Sequence, residues 1–522
     1  MSDTIAGGTR PEAHAGSQER EFLGHPIGLG VLFLTEMWER FSFYGMRALL
    51  VLYLTKHFLF SAEGANLIYG AYLGLVYVLP VIGGALADRY LGSRKAVVYG
   101  GLLLVAGHIS LAFEGPPAIV DGNAVVRSDL HLSIFFLSLA LIITGVGFLK
   151  ANISTIVGSL YGEKDPRRDG GFTIFYMGIN VGSLLSIVGV GYVGEVYGWG
   201  YGFGMAGIGM LLGLLIFLWG QPLLEGRADP PDPAVLKEKI LGGLITREWG
   251  IYAFGLVLVL FSWGLMQYQT LIGYVFYGSA ALILVVILTY GFTKCTPQER
   301  DRVIVAVILM IFMVVFWMLF EQQGSSLTLL ADQQFEKSLF GIPMQASQVQ
   351  SLNPFFIIVL APVLSWAWQS MSRRNLEPST PAKFALSLLV IGLGYLFFSF
   401  GLTVDEGTNK SMLWMVMIYF MLTMAELLIS PVGLSMITKL STQRIVGMMM
   451  GTFFLYIALG NYLSGVLASL TGGGGHGVAD SDKLDIPGTV ALFSNVGWLS
   501  VVIGVGLLVL TPWLRRRMHG IH

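Results

Sequence analysis

Charge is scarce in this chain. Only 12% of its 522 residues are Asp, Glu, Lys or Arg, against 54% hydrophobic. A soluble protein has about a quarter of its residues charged, so the composition excludes an ordinary water-exposed domain. The two signs nearly cancel, 31 basic against 32 acidic residues for a net charge of −1, which leaves no basic face for a nucleic-acid partner. Cysteine is all but missing, and the single Cys295 rules out an internal disulfide framework. Residues 1–24 are polar and lack the apolar core of a signal peptide, so they read as a soluble cytoplasmic tail. No H-E-x-x-H signature, Ser/His set or pair of intramembrane aspartates occurs, which argues against a membrane peptidase and against a metal site. Nothing calls for an organic cofactor.

What is abundant is apolar sequence, with a mean hydropathy of +0.71. It comes in repeated blocks of about 20 residues, the length that crosses about 30 Å of hydrocarbon. The 67 glycines fit close packing of membrane helices. About fourteen spans are predicted. Six begin near Ile27, Ala65, Ala96, Leu132, Thr173 and Tyr201. A polar stretch from Gln221 to about Trp249 follows, then two spans near 251–269 and 271–292. Six more begin near Val303, Pro354, Ala382, Met412, Ile445 and Val490.

Lys and Arg concentrate in cytoplasmic loops of membrane proteins. With the N-terminus inside, only Lys56, Arg127, Lys337, Lys410 and Lys483 fall outside. Arg40, Arg47 and Lys150 lie within spans, and the rest of the 31 basic residues are inside. This asymmetry over an even number of spans places both termini in the cytoplasm. The predicted architecture is an all-α polytopic membrane protein. It has a tail (1–24), a six-helix bundle (25–220), a cytoplasmic linker (221–248), a two-helix insert (249–295), a second six-helix bundle (296–514) and a basic tail (515–522). GGALADRYLGSRK (83–95), between spans two and three, is similar to the G-x-x-x-D-R-x-G-R-R loop of major facilitator transporters. There Asp88, Arg89 and Arg94 are candidates for an inner charge lock that gates the molecule.

EMWERFSFYGMR (36–47) sets four ionisable groups inside the first span. At about 100° per residue, Glu36, Glu39, Arg40, Phe43, Tyr44 and Arg47 fall within an arc of about 140°. Charges facing lipid cost several kcal/mol each near the bilayer centre, whereas a single stripe can line a water-filled cavity. Glu36 precedes Arg40 by four residues, the favourable order for a helical ion pair. Lys150, Glu321 and Glu426 lie in spans four, seven and ten with no opposite charge one turn away. Each needs a partner on another helix or a cavity.

EMWERFSFYGMRALL resembles the E-x-x-E-R-F-x-Y-Y signature of the proton-dependent oligopeptide transporter family of the major facilitator superfamily. FLKANIS (148–154), FYMGINVGSLLS (175–186), FEQQGSS (320–326), NPFF (353–356) and ELLISPVG (426–433) match further family blocks in the same order, so the resemblance covers nearly the whole chain. It implies a major facilitator fold and a monomeric, proton-coupled importer of di- and tripeptides in the bacterial inner membrane. The two-helix insert resembles that of bacterial members. The resemblance places Arg40, Tyr44 and Lys150 at the peptide carboxylate, Asn180 and Asn353 at its backbone, and Glu426 at its amino group. It adds Tyr77 and Phe453 to the pocket and assigns Glu36, Glu39 and Glu321 to proton coupling. Glu321 with Arg47 is a candidate latch between the halves, with the amide at Gln322 leaving the partner of Arg47 open. Three departures stand out: Phe43 replaces a tyrosine, Gln322 stands where some relatives have a glutamate, and Phe453 stands where many have tryptophan.

The residues themselves support a zwitterionic substrate. Cations at Arg40 and Lys150 belong to the first half and the anion Glu426 to the second. Two or three extended residues span only about 7–11 Å, so a clamp between fixed charges limits length while tolerating varied side chains. The rival reading is a proton-driven carrier of another small solute, such as nitrate, a drug or another anion. TGGGGHG (471–477) reads as a flexible linker, and His108 as a packed histidine bonded to backbone.

Overall fold

A computed structural model describes residues 21–521 except 163, 406, 408, 443 and 473–482. Most of the expected N-terminal tail and of the glycine run 471–477 therefore lies outside the described residues. The chain is built of helices: α1 Gly28–Lys56, α2 Ala62–Leu86, α3 Ser93–Leu111, α4 Asp129–Ser159, α5 Arg168–Tyr197 and α6 Trp199–Gly220; the short α7 Pro233–Lys237; then α8 Arg247–Met266 and α9 Gln269–Lys294. The remainder is α10 Pro297–Phe320, α11 Ser326–Gln334, α12 Leu352–Ser372, α13 Thr380–Val404, α14 Leu413–Leu440, α15 Val446–Ser469 and α16 Ile486–Arg517. Among the described residues, strand is confined to small antiparallel pairs outside the helices, such as β1 Glu21–Phe22 with β2 His25–Pro26. At several starts, α2 and α10 among them, a side chain accepts from free backbone N–H groups. Ser61 accepts from Gly64 N, and Thr296 with Glu299 forms a reciprocal capping box at α10.

Among the described residues, twelve helical segments are long and apolar enough to cross a membrane. The other two long helices are α1, which carries Glu36, Glu39, Arg40 and Arg47, and α3, which opens with Arg94 and Lys95 and contains His108. α1 packs against α5 and α6, α3 against α4 and α6, and α2 against α4. In the later chain α13 lies between α14 and α16, while α10 touches α13, α14, α15 and α16. The principal contact between early and late helices is α2 on α15. A Cβ added to Gly70 would stand 2.6 Å from Gly465 Cα, so only two glycines permit this approach of backbones. α8 leans on α4, and α9 on α15 and α10.

Two departures from regular helix position the chemistry. The span expected across FEQQGSS breaks after Phe320 into a 3₁₀ turn, Glu321–Gly324, before α11 resumes. The carbonyls freed by the break still find donors, as buried backbone groups require. Tyr395 Oη donates to Leu319 O at 2.7 Å, and Tyr419 Oη and Thr328 Oγ1 donate to Gln323 O, both at 2.8 Å. The stretch after α6 is not a loose tether either. Leu224, Ala228 and Leu236 are buried, Arg94 N donates to Ala228 O at 2.9 Å, and Pro230 lies against Gly92. Gly92 sits at φ +75° after the π-helical turn Ala87–Leu91, a conformation that suits glycine.

Candidate functional site

A cavity of about 230 Å³ lies between the early and late helices. From α1 it receives Glu36, Arg40, Tyr44 and Arg47, from α2 Tyr77, from α4 Lys150 and from α5 Asn180. The late helices contribute Glu321 from the turn after α10, Asn353 from α12 and Glu426 from α14. The stripe predicted on α1 thus faces inward, and residues far apart in sequence converge on one space.

The α1 charges form a tight cluster. Arg40 Nε lies 3.1 Å from Glu36 Oε1 and also pairs with Glu39, and all three residues are almost fully buried. Glu39 does not line the cavity and reaches it only through Arg40. The Arg40 guanidinium carbon lies 5.3 Å from the Phe43 ring centroid, within cation–π range. Arg47 Nη2 donates to Glu321 Oε2 at 2.6 Å and its Nε to Tyr69 Oη at 2.8 Å. Gln322 points elsewhere: its Nε2 donates to Met318 O at 3.0 Å and Ser464 O at 2.9 Å, tying α10 to α15. The carboxylate beside Arg47 is therefore at position 321 and the amide at 322 is a packing link.

Lys150 is held differently. Its Nζ lies 4.2 Å from the Tyr77 ring centroid and makes no ion pair among the described residues. Arg40 and Arg47 already face carboxylates, so Lys150 is the cavity cation whose charge is least compensated. Across the cavity Asn353 Nδ2 donates to Glu426 Oε2 at 2.9 Å and to Thr423 Oγ1 at 3.0 Å, which fixes one carboxylate oxygen. Asn180 Nδ2 donates to Tyr176 O at 3.0 Å.

Several expectations need correction. Phe453 does not line the cavity. It is buried in the core of the late helices with its ring 5.5 Å from that of Phe454, in an edge-on arrangement. Asp88, Arg89 and Arg94 are not joined into a charge lock: Asp88 and Arg89 are exposed, Arg89 lies over Tyr90, and Arg94 pairs with Asp229 of the linker at 2.5 Å. Asp88 and Arg89 lie on the exposed side of the turn after α2, and the packed linker supplies the acid for Arg94. His108 is wholly buried, but neither ring nitrogen finds the expected backbone partner among the described residues.

Other lining residues were not anticipated, among them Ser154, Tyr176, Trp317, Gln323 and Gln350. Gln350 stands in the polar stretch before the span expected from Pro354, whereas Gln323 is an amide within an apolar span, a signal available in the sequence. Ser154 and Tyr176 carry none, since their direction depends on helix rotation.

At the end remote from the termini the two groups of helices are bonded together. Lys56 Nζ lies 2.7 Å from Asp332 Oδ1. Ser347 N donates to Glu195 Oε1 at 2.8 Å, and Gln348 Nε2 to Val188 O at 2.9 Å.

A family model described as "POT family" matches residues 94–476. The chain is 36% identical over 512 residues to the uncharacterized transporter YclF of Bacillus subtilis, covering 96% of this chain and 97% of that protein. It is 35% identical over 520 residues to the peptide transporter YePEPT of Yersinia enterocolitica, covering 96% of each. Dipeptide and tripeptide permease A of Chromobacterium violaceum is 31% identical over 495 residues, with 95% and 94% covered. Among solved structures, a peptide transporter POT in complex with sulfate is similar at a TM-score of 0.79 and 35% identity, over 96% of this chain and 98% of that one. A POT family transporter in complex with 5-aminolevulinic acid gives a TM-score of 0.79 at 30% identity, over 95% and 98%.

Proposed function

This chain belongs to the POT family, and on that premise we propose that it is a proton-coupled symporter that imports di- and tripeptides by alternating access. It is a multi-pass membrane protein of a peptide transporter family. We extend that to fourteen spans by counting α1, whose Glu36, Glu39, Arg40 and Arg47 face the interior of the molecule, and α3, whose His108 is buried. In this reading residues 25–220 and 296–514 are two bundles rocking about the substrate. The insert 249–295 lies beside them, and both termini are in the cytoplasm of a bacterial cell. The transporter acts as a monomer, is not an enzyme, and needs no cofactor beyond the proton.

The single observation that carries the reading is one cavity that receives Arg40 and Lys150 from the early helices and Glu426 from the late ones. A zwitterion spanning these groups neutralises charge that each half otherwise buries. Asn353 holds Glu426 in place, which orients the carboxylate for an ammonium group. The cavity is smaller than the roughly 300–1,000 Å³ of drug-sized pockets, in keeping with a ligand of two or three residues.

Coupling follows from competition. A carboxylate beside arginine stays ionised, and one deprived of its cation in a low-dielectric site takes a proton. The peptide carboxylate displaces Glu36 or Glu39 from Arg40, and the released side chain is protonated. The Arg47–Glu321 pair latches the end remote from the termini until the next cycle. A proton crossing about 100 mV supplies about 2.3 kcal/mol, enough for roughly 50-fold accumulation.

The test is uptake of a labelled dipeptide into proteoliposomes with an imposed pH gradient. Unlabelled dialanine should block it, and free amino acids and nitrate should not. Block by nitrate, or indifference to the gradient, would move the reading to a carrier of another solute or to a uniporter.

A further inference from the structure

Away from the central cavity, two adjoining hollows share Arg94, Leu218 and Gln221 at the end of the molecule that carries the termini. The larger, about 590 Å³, is a groove between α3, α6 and α8, walled by Leu102, Leu218, Leu256 and the ring of Trp249. Leu102 and Leu256 are 55% and 54% exposed, so the trough opens on the outer surface of apolar helices. Trp249 and Tyr252 stand at its charged end, as aromatic residues do where hydrocarbon gives way to headgroups. The smaller hollow, about 340 Å³, includes Asp229.

Where the two meet, charge alternates. Arg94 Nε lies 2.5 Å from Asp229 Oδ1, and Lys95 Nζ lies 2.5 Å from Glu248 Oε1. Two bases and two acids make a neutral set. Arg94 also donates from Nη1 to Gln221 Oε1 at 3.1 Å, and guanidinium and ammonium groups carry five and three donors, so each base keeps capacity. These side chains are a quarter to a half exposed. Ion pairs of that kind are worth only about 0–1 kcal/mol, and a ligand with both signs can share them. A purely anionic headgroup meets Asp229 and Glu248, which repel it.

We propose that this groove binds a phospholipid, one acyl chain lying between α3, α6 and α8 and a phosphate-plus-primary-ammonium headgroup seated at Arg94 and Lys95. The phosphate takes the free donors of the two bases. The ammonium group donates to Asp229 and Glu248. A trimethylated ammonium has no N–H to give, and a glycerol headgroup has no cation. Because Glu248 and Trp249 open α8, the lipid would join the insert to α3 and α6.

The full-length protein in detergent, exchanged with an equimolar mixture of dioleoyl phosphatidylethanolamine, phosphatidylcholine and phosphatidylglycerol, tests this by native mass spectrometry. The ethanolamine lipid should be retained about tenfold over the other two, a difference of about 1.4 kcal/mol. Arg94→Gln should remove the preference. Leu256→Trp, at an exposed position where folding is not at stake, should remove retention by filling the trough. Equal retention of the three lipids, or retention untouched by Leu256→Trp, overturns the site. Preference for phosphatidylglycerol overturns the headgroup assignment.

Discussion

Arg47 of α1 and Glu321 beyond α10 stand 274 positions apart in the chain and 2.6 Å apart in space. Both side chains are at least 95% shielded from solvent. Removing one member of such a pair costs about 3–5 kcal/mol, whereas replacing both by apolar groups is often neutral. Glu321→Ala should therefore lower the thermal midpoint sharply in detergent, and Arg47→Met with Glu321→Leu should recover most of it without restoring transport. A double variant as unstable as the single one would show that the pair is not the source of the effect.

Glu426→Gln keeps the shape of the site but removes its charge. A hydrogen bond to a charged group is worth about 1.5–3 kcal/mol, so affinity for free-amine dipeptides should fall about 10- to 100-fold. N-acetylated peptides, which offer no ammonium group, should be nearly unaffected. Competition against a labelled peptide measures both, and equal losses would remove Glu426 from the clamp.

Glu39→Gln leaves a hydrogen-bonding side chain against Arg40 but nothing to carry a proton. Gradient-driven accumulation should disappear, while counterflow exchange of peptide across proteoliposomes persists. Undiminished accumulation by this variant would exclude Glu39 from coupling.

Gly324 lies where a Cβ would come within 1.8 Å of Tyr69 Oη, the atom that accepts from Arg47. Gly324→Ala should push Tyr69 off Arg47 and impair both stability and transport. Tyr69→Phe in the same background, by deleting the clashing oxygen, should restore part of the stability. No recovery would mean that the turn itself, and not the tyrosine, refuses the methyl group.

Phe453→Trp tests the revised place of that residue. Enlarging a packed core side chain typically costs about 1–3 kcal/mol, so the variant should melt earlier yet keep the same ranking of peptides in competition. A changed ranking would return position 453 to the binding surface.

The stripe on α1 was legible because helical period alone gathers Glu36, Arg40, Tyr44 and Arg47 on one face. The family blocks around Lys150, Asn353 and Glu426 then pointed at residues that do meet. Other features were written too far apart to be seen. FEQQGSS reads as continuous span by hydropathy, and what allows it to break is a pair of hydroxyls, Tyr395 and Tyr419, on α13 and α14. Arg94 looked toward Asp88 by proximity in sequence, but its acid comes from a linker whose composition suggested no packing. Phe453 was placed in the pocket by the resemblance alone, and a position in a family block does not say against what its ring packs. His108 was expected to bond to backbone because an isolated buried imidazole is costly, and among the described residues neither nitrogen has a partner.

The meeting of Gly70 with Gly465 has a mechanical consequence. Two backbones touching without side chains between them have no ridges to disengage, so α2 and α15 can tilt about that point while keeping their contact. Tilting about a fixed point moves the two ends of each helix in opposite senses, and a gap that widens at one surface narrows at the other. A methyl group at either glycine would hold the helices apart and leave the crossing without its axle, however intact the chemistry in the middle.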